Sequence, residues 1–93
     1  MEILWSDCGD MHIARLRQYV ILMTKDWGGS LHPRKTNLLG YVQKYRQRTE
    51  WLAQTYGSVN PDSHGATFYN IDDAKAYVEQ QALIGIAINK LTR

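Results

Sequence analysis

The chain has 93 residues, of which 44% are apolar and 22% charged. That mix excludes disorder as the default state, and the length excludes a cofactor domain beside a separate substrate domain. Formal charge is only +2, and no run approaches the roughly 18 apolar residues of a membrane span, so a single domain over residues 1–93 with no membrane partner is expected.

Three helices are predicted. In the first, Ile13, Leu16, Val20, Met23 and Trp27 step by three and four, Asp10 is placed to cap the start, and Gly28-Gly29 ends the run. The competing reading is a strand, because Tyr19-Val20-Ile21-Leu22-Met23 is also good strand material. In the second, Leu38, Val42, Tyr45, Thr49, Leu52 and Tyr56 fall on one helical face, which predicts a helix over 37–56 with Thr36 or Asn37 as cap and Gly57 as stop.

Residues 57–70 then form a long loop, with Asn60-Pro61-Asp62 as turn chemistry and room for a short β element at 65–69. Asn70, with Asp73 three positions on, opens the third helix, which runs to about residue 90. Its stretch from Ala82 to Ile88 is apolar nearly all round, which implies burial on more than one side. Small residues at Ala82, Gly85 and Ala87 allow a partner helix to approach, so a homodimer through the last helix is expected. A buried strand at 83–88 is the alternative. The expected fold class is therefore mainly α: a compact three-helix domain with one long loop and a short β element before the last helix. Its core would draw on Leu16, Leu38, Val42, Val78, Ala82, Ile84 and Ile88, among others.

Charge is distributed unevenly. Residues 31–49 hold five bases and no acid: Arg34, Lys35, Lys44, Arg46 and Arg48. On the predicted second helix, Tyr41, Lys44, Arg48 and Trp51 form a stripe that continues from Arg34 and Lys35. Bases interleaved with aromatics can meet phosphates, stack on bases or face an acidic protein surface. These six residues are the candidate binding site.

Catalytic and metal signatures are weak. Cys8 and His12 are spaced one helical turn apart beside Asp7 and Asp10, but no second ligand pair accompanies them. His64 and Asp62 lack a motif around them, and no phosphate loop, dinucleotide fingerprint or zinc-protease signature occurs. No catalytic residue, metal or cofactor is predicted. The single cysteine leaves no intramolecular disulfide, and the N-terminus lacks an apolar leader, so a cytoplasmic protein is expected. Three tryptophans and six tyrosines exceed the needs of one small core and suit an interface. The expected function is a small non-catalytic binding protein acting on another protein as an inhibitor, adaptor or regulator. The alternative is a regulator that binds DNA or RNA through the basic segment 34–48.

Overall fold

A computed structural model of the chain describes residues 2–25, 27–44, 47 and 49–91, with backbone only at 25, 90 and 91. It overturns the three-helix expectation. Five strands, β1 (Ile3–Cys8), β2 (Met11–Lys25), β3 (Leu31–Lys44), β4 (Trp51–Thr55) and β5 (Ala66–Phe68), form one antiparallel sheet in the order β1-β2-β3-β4-β5. A single helix, α1 (Ile71–Leu91), covers one face. Only 23% of the chain is helical.

The predicted first and second helices are both strands, for identifiable reasons. Gly28-Gly29 ends an element equally well as a hairpin turn, and Gly29 takes a φ of 83° there. The run before them, with Tyr19, Val20 and Ile21, is strand material, and the two flanking runs pair as β2 and β3. The supposed helix 37–56 holds the second half of β3 and all of β4, with Gly40 opposite Thr55 and Val42 opposite Ala53. From Gly40 on, burial follows the two-residue period of a strand, with Gly40, Val42, Ala53 and Thr55 buried. Tyr45, Arg46 and Arg48, expected on that helix, lie outside the described residues. At the first hairpin, Gly9 has a φ of 74°, which a two-residue turn with glycine in its first position requires.

Two irregularities position everything that follows. Between the pairs Arg15–Leu38 and Val20–Thr36, four residues of β2 oppose one residue of β3. Leu16 lies in the core two residues on from Ala14, and the bulge leaves Arg17, Gln18 and Tyr19 outside. Asn37 fills the gap by donating from its amide to the Leu16 carbonyl at 3.3 Å. The second irregularity brings the consecutive residues Leu39 and Gly40 into the core together, which strict alternation forbids.

The helix begins as its sequence indicates. The Asn70 side chain accepts the Asp72 N–H at 2.7 Å, and Asp72 and Asp73 lie in the positive first turn. Ala74, Val78, Ala82 and Ile86, each four apart, face the sheet. Of the predicted core, Leu16, Val42, Val78 and Ala82 are buried, whereas Leu38, Ile84 and Ile88 are exposed. The small residues Ala82 and Gly85 meet this chain itself rather than a partner helix; Gly85 faces the Val59–Asn60 backbone. The 57–65 loop is accordingly anchored. Val59 and Asn60 are buried, Asn60 donates to the Gln81 carbonyl at 2.9 Å, and the Tyr77 hydroxyl donates to the His64 carbonyl at 2.6 Å.

The far end of α1 closes a sheet edge. Beyond the bulge β2 has no neighbour on its outer side. There the Met23 N–H donates to Asn89 Oδ1 (3.4 Å), and the Asn89 amide donates back to the Met23 carbonyl (3.1 Å). The residue opposite Met23 on β3 is Pro33, which lacks a donor. Both edges of this hairpin are thus guarded against pairing with another strand. Asn89→Ala is expected to lower stability by about 1–2 kcal/mol through loss of these bonds. Urea unfolding measures this, and an unchanged midpoint would contradict it.

Candidate interaction surface

Past the bulge, β2 and β3 continue without β1 or β4 as a two-stranded arm, from Val20–Thr36 to the pair 25–31, with 27–30 at its tip. One side of the arm is held to the body: Leu22 is buried. The alternate positions, Ile21 with Lys35 across from it, and Leu31, point away. Tyr19, Ile21 and Leu31 are each more than half exposed, and Trp27 in the turn is wholly exposed. Lys35 Nζ stands 5.4 Å from the centre of the Tyr19 ring. Arg34, across from Leu22 on the arm's other side, lies in a cleft of about 550 Å³ between the arm, the 57–62 loop and the end of α1, with Asp62 and Ile88 also on its walls.

Among the described residues, the charged side chains of the arm, Arg34 and Lys35, are cationic. Arg17 pairs with Glu2 at 3.5 Å, and among the described residues neither Arg34 nor Lys35 pairs with a carboxylate. Large apolar side chains rarely stand out together on a small soluble domain unless something covers them.

The predicted six-residue stripe does not exist. Arg34 and Lys35 are on the arm, and Tyr41 is on the opposite half of β3. There its hydroxyl lies 3.4 Å from Gln54 Oε1 and its ring 5.8 Å from that of Tyr56, on the sheet face away from α1. Burial chiefly, and Tyr41 next, raise the Tyr56 hydroxyl above its ordinary pKa of 10.0. Lys44 and Trp51 are cross-strand partners at the far end of the sheet, with Lys44 Nζ 5.6 Å from the Trp51 ring centre. Arg48 lies outside the described residues. Ten extended residues separate Arg34 from Lys44 by about 33 Å, against about 15 Å on a helix. The grouping depended on helical spacing and fails with it.

The other weighed constellations are also dispersed. His12 pairs with Asp7 across the first hairpin, its Nε2 3.8 Å from Oδ1, and packs edge-on against Trp51 at 5.6 Å. Cys8 occupies the next rung and so projects to the other face. Among the described residues, no three His, Cys, Asp or Glu side chains are grouped to hold a metal. No described helix is long and apolar enough to cross a membrane.

The residues that sequence reasoning missed are Tyr19, Ile21, Trp27 and Leu31. Their signal was present: a Gly-Gly pair between two runs of strand formers marks a hairpin and puts Trp27 in its turn. Comparison with models of protein families, with curated proteins and with solved structures finds no match for this chain.

Proposed function

We propose that this protein is a non-catalytic binding protein that docks on another protein through the β2–β3 arm, acting as an inhibitor, adaptor or regulator. The observation that carries this is the fully exposed Trp27 at the arm's turn, together with exposed Tyr19, Ile21 and Leu31 beside Lys35, with Arg34 on the other side of the arm. Tryptophan, tyrosine and arginine are the residue types that dominate binding energy at protein interfaces. Ile21 and Leu31 favour protein over nucleic acid, because aliphatic side chains gain nothing from phosphate and only a protein offers a broad apolar counterpart. Lys35 calls for a carboxylate on that counterpart. Since both arm edges are guarded, recognition runs through side chains rather than strand addition.

The test is to recover the bound protein from an extract, purify it and titrate it with wild type and with Ile21→Ser/Leu31→Ser. Affinity should fall at least ~10-fold in the double variant, with an unchanged circular dichroism spectrum. Equal affinity would refute docking through the arm. Tight binding to oligonucleotides that collapses with salt would instead favour the nucleic-acid alternative.

A further inference from the structure

We propose that the outer edge of β1 is a strand-pairing surface whose occupant is β1 of a second copy of this chain, antiparallel and related to it by a two-fold axis. The hairpin geometry fixes which backbone groups are free. Cys8 and Met11 flank the two-residue turn, so Cys8, Ser6 and Leu4 spend their N–H and C=O groups on Met11, Ile13 and Arg15 of β2. Those of Ile3, Trp5 and Asp7 point the other way. Among the described residues no strand or side chain hydrogen-bonds them. A row of alternating free donors and acceptors is complemented by another extended backbone.

This edge is an exception in the molecule. On the arm, β2 is clamped by Asn89 and β3 carries Pro33, and the far edge of the sheet, β5, is three residues long. By contrast β1 is six residues long, pairs with β2 without a bulge and holds neither proline nor lysine. Its own copy satisfies it fully. Pairing centred on Trp5 joins Trp5 to Trp5 and Ile3 of each copy to Asp7 of the other, three rungs of two hydrogen bonds each that use every free group. The two Trp5 rings become cross-strand neighbours on the α1 face, and on the opposite face Leu4 of each copy lies beside Ser6 of the other. The central ring is already fixed: Trp5 Nε1 donates to Glu79 Oε1 at 2.9 Å, and Lys75 Nζ stands 5.3 Å from the ring centre. No carboxylate meets another. Glu2 falls opposite Cys8 and pairs with Arg17 at 3.5 Å, and the Asp7 carboxylate already accepts the Gly9 N–H at 3.1 Å. Two-fold pairing also closes the assembly, because it consumes both β1 edges and leaves only guarded or short ones. It uses no residue of the arm, so it does not depend on the arm's function.

Amide hydrogen exchange of the full chain, read residue by residue from about 10 µM to about 1 mM, tests this over the affinities of weak interfaces. Leu4, Ser6 and Cys8 should be protected throughout, and Ile3, Trp5 and Asp7 only at high concentration, as the sedimentation mass rises from 10.7 kDa toward twice that value. Leu4→Glu/Ser6→Glu sets like charges across the pair and should stay monomeric. Leu4→Glu/Ser6→Lys sets opposite charges across it and should dimerise as the wild type does. Both should keep the wild-type circular dichroism spectrum. A monomer at every concentration overturns the proposal, and protection of Ile3, Trp5 and Asp7 only by an added partner protein would give the edge a different occupant. A dimer in which those three amides exchange freely, or which treats the two variants alike, overturns it as well.

Discussion

Gly40→Ala is expected to destabilise the fold by about 3 kcal/mol, at the upper end of the usual cost of overpacking. A methyl at position 40 would point at α1, with its carbon 2.8 Å from Val78 Cγ1 and against the Gln54 carbonyl. The backbone oxygen cannot rotate away, so the strand or the helix must move. Gly85→Ala is the companion test from the helix side. Its methyl would sit 2.7 Å from Asn60 Cβ and against the Val59 carbonyl. Replacing glycine by alanine inside a helix ordinarily stabilises by about 1 kcal/mol, and the clash exceeds that gain, leaving a net loss of about 2 kcal/mol. Chemical denaturation of the two variants reads both values. Stabilisation by Gly85→Ala would mean that α1 does not lie on the 57–62 loop as described.

Leu39→Ala should cost about 3 kcal/mol. Leu39 is among the largest fully buried side chains. It reaches the core because of the irregularity at Leu38–Gly40, and the Tyr56 N–H is bonded to its carbonyl at 3.0 Å. Backbone bonds on the residue limit how far the sheet can collapse into the cavity. The expected loss is a large share of the roughly 5–15 kcal/mol that holds a small domain together. A loss under about 1 kcal/mol would place Leu39 at the surface, where regular alternation from Gly40 would have put it.

What was legible in the sequence depended on how local the signal is. The last helix has an N-cap in Asn70, acids in its first turn and an apolar face, all within one continuous segment. The short element before it appears as Ala66–Phe68. The other two predicted helices failed because the bulges hide a two-residue period. In β2 the buried residues are Ala14, Leu16 and Leu22, and the excursion at 16–19 breaks the alternation. What remains, Leu16, Val20 and Met23, imitates helical spacing. In β3 the consecutive burial of Leu39 and Gly40 has the same effect. The sequence from Tyr45 to Glu50 contains neither glycine nor proline, so nothing local signals that β3 and β4 are separate elements.

The site was legible only in part. Arg34 and Lys35 stood out as charge, and they belong to the arm. Their supposed companions Tyr41, Lys44 and Trp51 were joined to them only by an assumed helix. Trp27 was visible as an excess aromatic, but its place depends on a hairpin whose strands are recognised from both sides of Gly28-Gly29 together.

Docking of the arm on a protein partner is tested most directly by placing a photo-cross-linking amino acid at position 27 of the full chain and irradiating it in a cell extract. A discrete protein adduct that disappears with Ile21→Ser/Leu31→Ser is the predicted result. An adduct with nucleic acid alone, or a protein adduct indifferent to those two substitutions, would contradict it.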